Sequence, residues 1–311
     1  MKAVIHIGMP KAGSSAIQDF LGHNAGRLAA RGVRLARFDP AFGSQYELPV
    51  SALLGAGDSV TEAFAQRTLG FSSLADQRAY AARYARFLSE QRAQWGNDDL
   101  FIASSEHLYA WLIKPAQIAA LERFLAQHFS AVCYILYLRP NDEYLTSSYS
   151  EAIRRGATHD FDTHFTRQLG DNPWRLLRHW LAVVGRERLV VRRLVPQYLE
   201  SGDLFSDFCA QAGIEREGLE PVPRANPSLT LEQIARRRWL NRFLPVQGRD
   251  GRPSRLYRLA LALAERRRPQ PGTRLELSAE QLALLKRKRR WSDKQIRSHF
   301  FPDEPRLFPR D

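Results

Sequence analysis

The chain has 311 residues, of which 44% are hydrophobic and 25% charged, a composition typical of a folded globular protein and unlike that of disordered or fibrous chains. The formal net charge of +13 indicates anionic partners, because such a field attracts phosphates, sulfates and acidic surfaces. The two cysteines exclude a disulfide framework and a cysteine metal cluster, and the sequence shows neither a signal peptide nor an apolar membrane span, so we expect a soluble cytoplasmic protein.

Strand and helix patterns alternate along the first two thirds of the chain. Short apolar runs predict strands at 3–7, 33–35, 100–103, 132–138 and 189–194. Apolar residues at helical spacing predict helices at 76–95, 115–128, 142–155 and 174–184, and a further helix from Ser14 onward. The alternation predicts an α/β, P-loop-like three-layer fold with a central parallel sheet of about five strands.

Two regions depart from this alternation. Residues 39–76 contain several Gly, Pro and Ser residues and weak periodicity, which predict an irregular surface loop with a short helix near 61–66. Beyond residue 221, arginine-rich and lysine-rich stretches predict helices at 231–244, 254–268 and 278–290. We therefore predict a single domain over 1–311, with an α/β core over 1–220 and a basic helical C-terminal appendage over 221–311.

The loop after the first strand has the composition of a phosphate-binding loop. Gly8 and Gly13 are separated by four residues, as in a Walker A motif, and the hydroxyls of Ser14 and Ser15 follow. The lysine, however, is Lys11 within the loop and does not follow the second glycine. Backbone N–H groups at the start of the next helix would still bind an anion, with Lys11 supplying positive charge beside it. A glycine- and serine-rich helix start that only turns the chain is the plain alternative.

A second anion-binding pair is predicted at the end of the fourth strand. Arg139 ends that strand, and Ser147 lies one to two turns along the helix that follows. The two side chains could share a second phosphate. An arginine paired with Asp142 or Glu143, with Ser147 on the surface, is the alternative reading.

These residues resemble the sulfotransferase superfamily, especially its bacterial and carbohydrate-modifying branch. The segment from Pro10 to Ser15 looks like the 5′-phosphosulfate loop of that family, with Ala12 where a threonine is common, and Arg139-Pro140 with Ser147 looks like its 3′-phosphate motif. The resemblance implies 3′-phosphoadenosine-5′-phosphosulfate (PAPS) as co-substrate, no metal, and donor contacts from the residues Lys11, Ala12, Gly13, Ser14, Ser15, Arg139 and Ser147.

Sulfuryl transfer needs a base near the first loop to take the proton of the incoming hydroxyl. Glu106 and His107 follow the third strand at the carboxyl edge of the sheet, where ligands bind in open α/β sheets. Either side chain could be the base, and the resemblance implies a histidine in small-molecule enzymes and a glutamate in several glycan enzymes. We predict Glu106 and Lys11 as catalytic residues and His107 as a residue that binds the acceptor. Capping of the next turn by Glu106 and aromatic packing of His107 would be the structural alternative.

The expected partner is a glycan or another acceptor that bears a hydroxyl or amino group. The protein could also contact a membrane surface peripherally, whereas we do not expect nucleic acid as a partner. Two other functions compete with this reading: a degenerate P-loop nucleotide kinase, and a basic polyanion-binding module without catalysis that would bind through Lys286 to Arg290. A nucleotide kinase would need a lysine after Gly13 and an acidic magnesium ligand, and the sequence shows neither clearly.

Overall fold

The computed structural model describes residues 1–39, 43–223, 228–248, 254–265 and 272–309. The chain divides into two compact units, Met1–Arg139 with Pro173–Ala225 and Pro140–Asn172 with Asn226–Asp311. The first unit contains a β-sheet with its helices, and the described part of the second is built mainly from helices. Residues 140–172, which lie within the predicted α/β core, group with the C-terminal helices in the second unit.

The sheet of the first unit has five parallel strands, in the order β2-β3-β1-β4-β5. Their bounds are β1 Lys2–Gly8, β2 Val33–Arg34, β3 Leu100–Ser104, β4 Ala131–Leu138 and β5 Leu189–Arg193. The central strands β1 and β4 are buried along most of their length, as expected for apolar runs inside a parallel sheet. The predicted α/β fold with a central parallel sheet of five strands is confirmed.

The helices are numbered along the whole chain. The first unit contains α1 Ser14–His23, α2 Ala25–Ala30, α3 Glu47–Gly55, α4 Ala63–Leu69, α5 Leu74–Gln94, α6 Glu106–Trp111, α7 Pro115–Ala126, α10 Pro173–Val184 and α11 Leu204–Ala212. The second contains α8 Asn141–Arg154, α9 Phe161–Gln168, α12 Leu231–Phe243, α13 Arg255–Glu265 and α14 Ala279–Phe300. Residues 266–268 of the predicted helix 254–268 lie outside the described part.

The strand order fixes where the first unit can bind a ligand. The chain leaves β1 toward β2 on one side of the sheet and leaves β4 toward β5 on the other. Connections that diverge from two neighbouring strands open a crevice at the carboxyl ends of those strands. Here the crevice lies between the ends of β1 and β4, where the N–H of Met9 donates to the carbonyl of Tyr137 at 3.1 Å.

The prediction of an irregular surface loop over 39–76 is wrong for the described part of this segment, which contains α3 and the start of α5, whereas the short helix predicted near 61–66 overlaps α4. Helix α3 is buried on nearly all sides, with Leu48, Val50 and Ala52 fully inaccessible. An amphipathic helix shows an apolar stripe, whereas a helix buried all round shows none. The weak periodicity of this segment therefore reflects burial of α3 and not the absence of a helix.

The second unit is held by two apolar clusters that share α8. One cluster joins Tyr149, Ile153, Leu229 and Ile234, and the other joins Leu145, Phe165 and Leu285. Helix α14 runs to Phe300, beyond the predicted end at 290. Buried residues at positions 292, 296 and 300 continue one face of α14 at four-residue spacing, which explains its length.

A buried carboxylate joins the second half of the sheet to α11. Asp207 is fully buried and accepts hydrogen bonds from the Tyr137 hydroxyl at 2.7 Å, the Arg192 Nε at 3.0 Å and the Glu200 N–H at 3.0 Å. A second nitrogen of Arg192 also contacts the carboxylate. The network ties β4, β5 and α11 together.

Substitution of Asp207 by alanine should lower the free energy of unfolding by about 3–5 kcal/mol, because the partly buried Arg192 guanidinium loses its counter-ion. Chemical denaturation of purified variants measures the change. The exposed Asp98 provides the control, and Asp98→Ala should change stability by less than about 0.5 kcal/mol. A loss below about 1 kcal/mol for Asp207→Ala would contradict the assigned role of the network.

Candidate active site

The loop that joins β1 to α1 makes two sharp turns at the carboxyl end of the sheet. Gly8 and Gly13 have φ values of 109° and 89°, which glycine adopts without steric cost. Lys11 also has a positive φ, 64°, so the chain passes through the left-handed region at the predicted catalytic lysine. The N–H of Ala12 donates to the carbonyl of Met9 at 3.2 Å and closes the loop.

The N-terminus of α1 has the properties of an anion-binding site. Its N-cap residue is Gly13, and none of the described side chains caps its first N–H groups. The first turn contains no acidic residue, and it begins with Ser14, which is buried, and Ser15, which is exposed. Uncapped N–H groups and the positive end of the helix dipole favour a bound phosphate or sulfate here.

Arg139 supports this loop from the neighbouring strand. It follows β4 at the carboxyl edge of the sheet, and its Nη1 donates to the carbonyl oxygen of Lys11 at 2.8 Å. The arginine thus adds positive charge beside the loop and fixes the backbone of Lys11. Ser147, the predicted partner of Arg139, is buried on α8 in the second unit, so that pairing stays a prediction.

Glu106 lies against the same loop. A Cβ built on Gly8 would lie 3.1 Å from the Cα of Glu106, so any larger residue at position 8 would press on the first residue of α6. The Oε2 atom of Glu106 accepts a hydrogen bond from Gln18 Nε2 at 2.7 Å and a longer one from the Ser44 hydroxyl at 3.3 Å. Within the described ranges, Oε1 accepts no hydrogen bond. The carboxylate is therefore oriented through one oxygen, and the other can accept a proton.

His107 sits within a group of aromatic rings beside Glu106. Its ring centroid lies 4.3 Å from that of Tyr46 and 4.7 Å from that of Trp111. Its Nδ1 lies 3.1 Å from the hydroxyl of Ser44, which also contacts Glu106. All three rings are partly exposed. This arrangement can pack against the apolar face of an acceptor that approaches Glu106.

His6 lies behind the site and is fully buried on β1. Its Nδ1 is 2.8 Å from the Ser104 hydroxyl, and its ring meets the edges of Tyr137 and Phe208. Burial lowers the pKa of His6 to about 4, although the negative charge of Glu106 acts in the opposite direction. His6 is therefore neutral near pH 7.

This buried histidine predicts a pH dependence of stability. Unfolded His6 binds a proton near pH 6.5, whereas folded His6 binds one only near pH 4, so the unfolded state takes up more protons between these values. The stability contributed by neutral His6 should be complete above pH 6.5 and should decrease by about 3 kcal/mol as the pH falls to 4. Denaturation curves of the wild type and His6→Gln across this window measure the effect. Parallel pH profiles for the two proteins would contradict it.

Gln18 and Ser44 were not singled out by the sequence analysis. Gln18 is buried on α1, one turn after Ser14 and on the same face as Leu21. A polar side chain on the apolar face of the helix that follows a glycine- and serine-containing loop is a detectable signal. No comparable signal marks Ser44, because its contact with Glu106 depends on the path of the chain before α3.

Two further searches of the described residues, for metal ligands and for membrane-spanning helices, found neither. These residues contain no group of three or more His, Cys, Asp or Glu side chains placed to hold a metal ion. Over the same residues, no helix is both long and apolar enough to cross a membrane.

A scan against protein-family models and a search of curated proteins found no match to this chain.

Proposed function

We propose that the chain is a PAPS-dependent sulfotransferase that moves a sulfuryl group to a hydroxyl or amino group, on a glycan or glycolipid. The observation that carries the proposal is the grouping of three elements at the carboxyl edge of the sheet: the loop around Lys11, the guanidinium of Arg139 bonded to it, and Glu106, whose Cα lies against Gly8 of that loop. This is the edge at which open α/β sheets bind ligands.

The loop and α1 fit the phosphosulfate end of such a donor. The uncapped N–H groups at the start of α1 and the exposed hydroxyl of Ser15 are hydrogen-bond donors without a competing carboxylate in the first turn. Lys11 and Arg139 supply positive charge at the same loop. A donor set of N–H, hydroxyl and cationic groups suits oxygen atoms that carry negative charge.

PAPS supplies an activated sulfuryl group joined to a phosphate through a bridging oxygen. During transfer, the acceptor oxygen forms a bond to sulfur, the bond between sulfur and the bridging oxygen breaks, and its electron pair goes to the nucleotide phosphate. Glu106 accepts the proton of the acceptor hydroxyl at Oε1, while Gln18 holds Oε2. Lys11 stabilises the negative charge that develops on the bridging oxygen.

The surroundings of Glu106 support a glycan as the acceptor. Tyr46, His107 and Trp111 present partly exposed rings next to the proposed base, and sugar rings have apolar faces that pack on aromatic side chains. The hydroxyl of Ser44 lies 3.1 Å from Nδ1 of His107 and can hydrogen-bond a second sugar hydroxyl. The position that is sulfated would be the hydroxyl directed at Oε1 of Glu106.

A transfer assay tests the proposal. The full chain is incubated with radiolabelled PAPS and a panel of neutral glycans, amino sugars and glycolipids, without magnesium. We expect label to enter at least one acceptor class and to be lost on heat denaturation of the protein. Phosphate transfer to the same panel from ATP with magnesium, without any transfer from PAPS, would instead support the kinase alternative.

A further inference from the structure

Helices α12 and α13 form a hairpin in the second unit, with a defined inner face. The Tyr257 hydroxyl of α13 donates to Asn241 Oδ1 of α12 at 2.8 Å, and Arg237 of α12 pairs with Glu265 of α13 at 2.9 Å. Arg236 Nη1 also donates to the carbonyl of Ala264 at 3.2 Å. These contacts fix which side of α13 faces α12.

The other side of α13 carries an exposed row of leucines. Leu256, Leu259 and Leu263 follow one another at three- and four-residue spacing, which places them on one face of the helix. Each is between 62% and 65% exposed, although leucine is normally a core residue. We call these three residues the leucine stripe. Nothing in the described part of the chain covers it.

Arginines border the leucine stripe. Arg255 and Arg258 are exposed on the same helix, and α12 and α13 together contain six arginines against two glutamates. Helix α12 also exposes Trp239 and Phe243, whose ring centroids lie 5.2 Å apart. An amphipathic helix with leucines on one face and arginines beside them, accompanied by exposed aromatic residues, has the composition of a segment that lies in the interface of an anionic membrane.

We propose that the leucine stripe of α13 binds the surface of an anionic lipid bilayer. The leucines enter the boundary between headgroups and acyl chains, and Arg255 and Arg258 contact the lipid phosphates. A helix of 11 residues is too short to span the bilayer, so α13 lies along its surface. This surface does not depend on the proposed sulfotransferase activity, and it would bring the protein to acceptors or donors held at a membrane.

Co-sedimentation of the full chain with lipid vesicles tests the proposal. We expect binding to vesicles that mix phosphatidylcholine with phosphatidylglycerol, and little binding to phosphatidylcholine alone. The triple variant Leu256→Ser, Leu259→Ser, Leu263→Ser should bind at least about tenfold more weakly, and Arg255→Gln with Arg258→Gln should lose the preference for phosphatidylglycerol. Circular dichroism checks that each variant is folded, which exposed positions should allow.

A matched control is Leu74→Ser, which removes an exposed leucine from α5 in the first unit and should leave vesicle binding unchanged. Equal binding by the triple variant and the wild type would overturn the proposal, as would a wild type that binds neither kind of vesicle. Sedimentation velocity tests whether a second copy of this chain, and not a membrane, binds the leucine stripe. A dimer that the triple variant dissociates, without vesicle binding by the wild type, would make the stripe a dimer interface and overturn the membrane assignment.

Discussion

Replacing Glu106 by glutamine is expected to reduce sulfuryl transfer at least about 100-fold while leaving the affinity for 3′-phosphoadenosine-5′-phosphate (PAP), the desulfated product, within about twofold. Glutamine has nearly the same shape, and its side-chain oxygen can still accept the hydrogen bond that Gln18 donates at 2.7 Å. It cannot take a proton from the acceptor. The loss should therefore appear in kcat, measured with labelled PAPS, and not in nucleotide binding measured by calorimetry.

Two further variants make the Glu106 result specific. Glu90→Gln removes an exposed carboxylate from α5 and should leave both transfer and PAP binding unchanged. Gln18→Ala keeps the base but removes the group that orients it, so transfer should fall less than in Glu106→Gln while PAP affinity is unchanged. A Glu106→Gln protein that retains more than about a tenth of the wild-type kcat would show that another group is the base.

Replacing Gly13 by alanine should weaken PAP binding at least about tenfold and lower the free energy of unfolding by about 1–3 kcal/mol. Gly13 has a φ of 89°, which alanine adopts only with strain. A Cβ at this position would also lie 2.5 Å from Cδ2 of Leu204, at the start of α11. The Leu204 side chain can move away from the added Cβ, but the backbone strain remains at the N-cap of α1, where the phosphosulfate is proposed to bind.

The variant Gly26→Ala in α2 is the matched control for Gly13→Ala. A Cβ at Gly26 would meet no atom within 4 Å, so Gly26→Ala should leave PAP binding unchanged and stability equal or slightly higher. The double variant Gly13→Ala, Leu204→Ala removes the clash but not the backbone strain. It should therefore not restore PAP affinity to that of Leu204→Ala alone. Normal PAP affinity in Gly13→Ala would contradict the assigned role of this helix start.

The sheet could be predicted because β1, β3, β4 and β5 are short apolar runs that end in or before a glycine or a polar residue, and because Gly32 marks the start of the short β2. The predicted runs fall on all five strands, and the fourth, at 132–138, lies within β4. The prediction of helices failed where burial on all sides or short length removed the apolar periodicity of the sequence. Helix α3 is buried on nearly all sides, and α6, α9 and α11 have six to nine residues each, too few for apolar periodicity to stand out.

The sequence pointed to Lys11, Arg139 and Glu106 of the candidate site, but not to Gln18, to Ser44 or to the contacts among these residues. Lys11, Arg139 and Glu106 could be selected because each follows a predicted strand at one edge of the sheet. The hydrogen bond from Arg139 to the carbonyl of Lys11 could not, because a side chain that binds backbone leaves no pattern in the sequence. The orientation of Glu106 by Gln18 depends on residues 88 positions apart, which only the folded chain brings together.

A titration of the full chain with PAP and with ATP, each with and without magnesium, tests the donor site most directly, and Arg139→Ala is the variant to compare. We expect PAP to bind without magnesium and more tightly than ATP. Arg139→Ala should weaken PAP binding at least about tenfold, because the loop loses both the hydrogen bond at the Lys11 carbonyl and a positive charge. Preference for ATP with magnesium, or no binding of either nucleotide, would contradict the proposal that this chain is a sulfotransferase.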